Sequence, residues 1–150
     1  MKKNIPFKNI LELLPYDEPF LFVDALTSID ENGVVGNYTY VKDSFFYKGH
    51  FKNHPVTPGV ILTETMAQIG VVCLGIFLAQ QQVPLLKEAK IALVSNTMDF
   101  YIPVFPEETV TVISKKMYFR MHKLKCKVEM YNQKKELVCR GVIAGMMAKY

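Results

Sequence analysis

YKGHFKNHPVTPGVILTETMAQIGVVCLGIFLAQQQ, residues 47–82, is the stretch that decides how the chain folds. It opens as a loop with two histidines and two prolines, then becomes a long apolar helix with one carboxylate near its start. Pro58-Gly59 sits where a helix begins, because proline is pre-set for a first turn and lacks only an N–H that would be unpaired there. From Val60 to Ala79 the polar residues are few: Thr63, Glu64, Thr65 and Gln68. Apolar residues fall on every side, so the helix is buried all round, in protein or in membrane. The run is nearly long enough to span a bilayer, at roughly 20 residues. However, Glu64 and Gln68 lie a turn apart within it, intramembrane carboxylates are rare and costly, and the flanking segments read as strands. The expectation is a core helix wrapped by a sheet, with no membrane insertion. A carboxyl in such a helix is kept neutral or given a partner.

The 150 residues suffice for one domain with a real core, and a single domain over 1–150 is expected. Half the residues are hydrophobic and 21% are charged, which excludes disorder. Cys73, Cys126 and Cys139 are widely spaced and odd in number, without a CxxC or a Cys/His cluster. Neither a disulfide framework nor a zinc site is expected, which suits a reducing cytoplasm. The N-terminal MKKNIPFKNI lacks the apolar stretch of an export signal. A formal charge of +4 fits an acidic partner but does not argue for nucleic acid.

Upstream, residues 6–15 put Ile10, Leu11, Leu13 and Leu14 at helical spacing before Pro15. Residues 20–30 read as a strand, Asp30-Glu31-Asn32-Gly33 as a hairpin turn and 34–41 as the returning strand. The aromatic, turn-rich segment from Lys42 to Gly59 reads as an ordered loop over the helix start. Downstream, Pro84 stops the helix. Lys90–Phe105 reads as a long strand kinked near its proline, Thr109–Phe119 as another, and Arg120-Met121-His122 as a turn. Lys123–Tyr131 alternates most cleanly, with Leu124, Cys126, Val128 and Met130 against Lys123, Lys125, Lys127 and Glu129. Asn132–Lys135 turns the chain into a last strand over 136–149. One antiparallel sheet curled round one buried helix, an α+β arrangement, satisfies this order with the fewest layers.

The phrase GHFKNHPVTPGVILTETMAQ resembles the signature of the β-hydroxyacyl-acyl-carrier-protein dehydratases of FabZ type. Gly49-His50-Phe51, Pro55-Val56, Pro58-Gly59, Glu64 and Met66-Ala67-Gln68 fall at that family's spacing. Leu14-Pro15, Pro19-Phe20-Leu21, Val23-Asp24, Phe100, Pro103-Val104 and Pro106 extend the likeness over nearly the whole chain. The resemblance implies a hot-dog fold, with the sheet wrapped round a central helix, and dehydration of a 3-hydroxyacyl thioester to the trans-2-enoyl thioester. It implies a histidine and a helix carboxylate that meet across a dimer interface, one from each subunit. Carried over, His50 is the base, Glu64 the acid or holder of the departing water, and the Gly59 N–H polarises the thioester carbonyl. Acyl carrier protein is the implied partner, a homodimer or higher oligomer the implied assembly, and no metal or organic cofactor is called for.

The spacing also makes chemical sense. Dehydration needs a base beside the carbonyl, an acid at the departing hydroxyl and a dipole for the enolate-like oxygen. A helix N-terminus supplies the dipole, Gly59 admits a ligand close to its backbone, and Glu64 lies about 7.5 Å further along at 1.5 Å per residue. An apolar setting would raise the pKa of Glu64 and keep it an acid. Gln68, a turn beyond, is placed to hold that carboxyl, with helix packing an equal alternative. His54 and His122 read as loop and turn residues, Asp24 as a structural acid bonding nearby backbone, and Cys73 as a small apolar residue. Departures from the family pattern fall at Tyr16-Asp17-Glu18, Lys52-Asn53, Tyr101-Ile102 and Glu107, where the family has a glycine. They bear on acyl length and on carrier docking, for which Lys48, Lys52, Lys115, Lys116 and Lys123 are candidates. Two rival functions stay open: a thioesterase on the same fold, and a non-catalytic acyl-binding or scaffold subunit.

Overall fold

A computed structural model describes residues 7–148. A short helix α1 (Phe7–Glu12) leads to the hairpin β1 (Ala25–Asp30) and β2 (Gly33–Thr39). The Asp30 carboxylate closes its turn by accepting the N–H groups of Asn32 (2.7 Å) and Gly33 (3.1 Å). A 3₁₀ turn (Phe45–Lys48) precedes the central helix α2 (Gly59–Gln82). Four strands complete the chain: β3 (Ile91–Phe100), β4 (Thr109–Arg120), β5 (Lys123–Tyr131) and β6 (Leu137–Met147). With β1 and β2 they form one six-stranded antiparallel sheet in the order β1-β2-β4-β5-β6-β3. The sheet wraps α2, as the sequence led us to expect.

Local chemistry explains most of the boundaries. Leu124, Cys126, Val128 and Met130 alternate with lysines and Glu129, and all four are fully buried against the helix. The turn before β5 places Met121 and His122 at φ 50° and 62°, which hairpins of right-handed twist require. Asn132 closes the next turn by accepting the N–H groups of Lys134 and Glu136, both at 3.0 Å. Two expectations need correction. Residues 20–24 run without a regular ladder, so β1 begins at Ala25 rather than Phe20. β3 ends at Phe100, which leaves Pro103 beyond the strand instead of kinking it. Residues 6 and 149, part of the expected first helix and last strand, lie outside the described residues.

The central helix is long and apolar enough to cross a membrane, but 72% of its most apolar window is buried within the protein. It touches the sheet closely at Gly70, where a Cβ would come within 3.1 Å of both Ser114 Cβ and Val128 Cγ1. The Ser114 hydroxyl donates to the Gly70 carbonyl at 2.8 Å. That bond serves a carbonyl inside a π-helical segment, Gln68–Cys73, that interrupts the α-helical register. Such wide turns leave backbone groups poorly paired and concentrate near functional sites. Here the segment begins one turn after Glu64.

Candidate active site

The loop before α2 is braced by its own backbone. Val56 N–H donates to the His50 carbonyl (2.8 Å), and Phe51 and His54 exchange backbone bonds at 2.8 and 2.9 Å. Asn53 takes φ 59° at the tip. Asparagine tolerates this left-handed conformation better than most side chains, so the tight turn forms without a glycine. Thr57 N–H reaches the Val104 carbonyl at 2.8 Å, while its hydroxyl meets that of Tyr47 at 2.6 Å. The half-buried ring of His50 lies in this frame, stacked on Phe51 with centroids 4.1 Å apart. Its Nδ1 lies 2.8 Å from the Val56 carbonyl. A carbonyl can only accept, so Nδ1 carries the hydrogen and Nε2 keeps its lone pair. This bond selects the neutral tautomer whose basic nitrogen is Nε2.

Glu64 sits on the first turns of α2, half-buried. Gln68 Nε2 donates to Glu64 Oε1 at 3.0 Å and to the Phe20 carbonyl at 3.0 Å. The Gln68 Oε1 accepts the Phe22 N–H at 2.8 Å. Gln68 is fully buried, and these three bonds tie the carboxyl to the segment ahead of β1. Residues 20–22 thus bond to the helix, which is one reason they do not join the β1 ladder. Burial pushes the Glu64 carboxyl above its ordinary value of 4.5, and the Gln68 bond pulls partly the other way. With Oε1 occupied by an N–H, Oε2 is the oxygen left to carry and deliver a proton.

The Glu64 carboxyl opens on a cavity of about 110 Å³ between the helix and strands β3 and β6. Tyr16, Ala67, Val71, Ile91 and Gly145 are among its walls. Tyr16, from the stretch that departs from the family pattern, is pushed up to about 12 by burial and by the nearby Glu64. Its phenol stays protonated. Beyond that departure its nearness to Glu64 could not be read in advance, because the two residues lie far apart in the chain.

Gly59 is the first residue of α2, after Pro58, as expected. The Phe100 ring lies against it, and a Cβ at residue 59 would stand 3.3 Å from two ring atoms. The missing side chain therefore lets Phe100 of β3 close on the helix start. Asp24 accepts the Thr39 N–H at 2.7 Å, a structural role. Cys73 is buried, and burial raises its thiol far above the reactive range. His54 and His122 are exposed. Lys48, Lys52 and Lys115 are exposed, while Lys116 and Lys123 are half-buried. Among the described residues no group of His, Cys, Asp and Glu is arranged to hold a metal. Within one chain, His50 and Glu64 share no hydrogen bond or ion pair among the described residues, and His50 does not line the Glu64 cavity.

A sheet wrapped round a helix, with a carboxyl near the helix start and a histidine on the preceding loop, defines a hot-dog protein. The solved structures agree on that fold. A dehydratase heterocomplex chain from Xenorhabdus doucetiae superposes with a TM-score of 0.78 at 11% identity, covering 93% of this chain and 91% of that one. A thioesterase from Haemophilus influenzae superposes with a TM-score of 0.68 at 12% identity, covering 99% and 94%. The model of the FabA-like domain matches residues 14–144, and the chain belongs to that family. The resemblance to FabZ-type dehydratases drawn from the sequence is borne out. The 3-hydroxyacyl-[acyl-carrier-protein] dehydratase FabZ of Clostridium botulinum is 36% identical over 75 residues, 49% of this chain and 52% of the relative. Its Bacillus licheniformis counterpart is 40% identical over 68 residues, 45% and 47%. The chain thus aligns with about half the length of the curated relatives it matches.

Proposed function

We propose that the protein dehydrates a 3-hydroxyacyl thioester presented on an acyl carrier protein, giving the trans-2-enoyl thioester. The observation that carries this reading is the half-buried Glu64, held by Gln68 in the wall of a cavity lined mostly by apolar residues. His50 Nε2 takes the proton from the carbon next to the thioester carbonyl. Electrons shift toward the carbonyl oxygen, which the Gly59 N–H at the helix start stabilises. Glu64 Oε2 gives its proton to the departing hydroxyl, and water leaves. The imidazolium then returns a proton to Glu64, so the site resets without an outside reagent.

The active form is a homodimer or higher oligomer in which His50 of one subunit faces Glu64 of another. Support comes from strand β3, a ten-residue sheet edge with Leu93, Val94 and Phe100 about half exposed (55%, 49% and 48%). Long apolar edges are normally covered. A second copy pairing there in two-fold symmetry would give an interface made of the same strand from each chain, as a site shared between two subunits needs. The modest positive charge and the exposed Lys48, Lys52 and Lys115 suit an acidic carrier. Three free cysteines, all buried, suit a reducing cytoplasm.

The thioesterase neighbour favours one rival, hydrolysis on the same fold. Incubation with 3-hydroxyacyl carriers, with product masses and free thiol both followed, separates the two. Loss of one water with no released thiol is the expected result. Release of thiol without an enoyl product would establish hydrolysis, and an unchanged but bound substrate would establish an acyl-binding subunit.

A further inference from the structure

Two openings lie along the central helix. Glu64, Ala67 and Val71 line the inner cavity of about 110 Å³. Ala79 and Gln82, further along the helix, line an open groove of about 790 Å³ that Phe119 and Met147 complete. Gly75 falls between the two sets in the chain. Ile91 of β3 stands at the division. It is a wall of the inner cavity, and its partner across the ladder to β6, Met147, is a wall of the groove.

The seat of Ile91 is built from two missing side chains. Its Cδ1 lies 2.5 Å from where a Cβ would stand on Gly75, and its Cγ2 lies 2.7 Å from that point on Gly145. Real Cβ atoms are not tolerated at such distances, so helix and strand together leave a notch that this isoleucine fills. Val71 packs beside it, 3.0 Å from the Gly145 position. We infer that Ile91, seated on Gly75 and Gly145, is the stop that ends the acyl channel beyond Glu64 and restricts the site to short acyl chains. The inference rests on the dehydratase reading for the identity of the ligand.

At about 30 Å³ per water-sized group, the inner cavity has room for about four such groups, so a tail of about four methylenes fills it. Trimming Ile91 joins the cavity to the groove, which is several times larger. Each further methylene buried then strengthens binding about fourfold.

The test uses saturated S-acyl pantetheines of increasing chain length, which cannot be dehydrated, with affinities measured by calorimetry on the wild type, Ile91→Ala and Ile91→Val. Thermal unfolding checks that each variant is folded. For the wild type, affinity should climb about fourfold per methylene over the first few carbons and then stop climbing. In Ile91→Ala the climb should continue into long chains. Ile91→Val should move the break by about one methylene, and it decides the matter if the alanine variant does not fold. A break at the same length in the wild type and the folded variants overturns the assignment, as does a wild-type affinity that rises without a break. Turnover of 3-hydroxyacyl carriers is measured in parallel. Shifted binding without dehydration refutes the reaction and keeps the stop, whereas dehydration with an unshifted profile refutes the stop alone.

Discussion

Replacing Gln68 with leucine separates what that residue does for packing from what it does for chemistry. Leucine fills nearly the same volume in a fully buried place, so no large cavity opens. What disappears is three hydrogen bonds: to Glu64, to the Phe20 carbonyl and from the Phe22 N–H. Phe22 is buried, and an orphaned N–H there costs about 1–3 kcal/mol. Phe20 is exposed, so water can serve its carbonyl. The net loss should be about 2 kcal/mol, a fall in Tm of about 4–8 °C. The catalytic loss is separate. A bond to a half-exposed carboxyl is worth about 1.4 kcal/mol once solvent competition is counted, so kcat should fall about tenfold. The Gln68 bond also holds the Glu64 pKa down, so its removal moves the limb of the pH–rate profile that reports Glu64 to higher pH. Circular-dichroism melts and a pH series of initial rates read both effects. Lost stability with an unchanged rate and an unchanged pH–rate profile would refute the assignment of Gln68 as holder of a working acid.

Further outcomes follow from the same geometry. Glu64 has its folded-state pKa raised, so the folded protein holds this proton where the unfolded chain has released it, and stability falls as pH rises from about 4.5 through the folded value. Glu64→Gln should remove that decline, giving an inactive protein with a higher Tm than wild type at neutral pH; an unchanged Tm–pH curve would contradict a desolvated carboxyl. Glu107 holds φ 72° while its N–H bonds the Tyr40 carbonyl at 2.8 Å. Glu107→Gly should relieve the left-handed strain by about 1 kcal/mol and raise Tm by about 2–4 °C, and a loss of Tm would show that this side chain contributes something its exposure hides.

Much of the fold was legible because it was local. The alternation of β5, the Asp30–Gly33 turn and the Pro58-Gly59 helix start are written in neighbouring residues, and each stands as read. Glu64 and His50 stood out as polar groups at motif spacing. The short β1 was not legible, because what holds Phe20 and Phe22 is Gln68, 48 and 46 residues away. Nor was the π-helical segment, since a change from α to π turns leaves the apolar character of residues 68–73 unaltered. The Ile91 seat needs Gly75 and Gly145 brought together across helix and sheet, which only the folded chain does.

Complementation between two dead variants bears most directly on an acid and a base supplied by different subunits. His50→Ala and Glu64→Ala should each be nearly inactive alone. Denatured together in equal amounts and refolded, they should recover about a quarter of wild-type activity, since half of randomly assorted dimers are mixed and each restores one of two sites. Mixed dimers that form, as seen by native mass spectrometry, yet remain inactive would contradict the shared site.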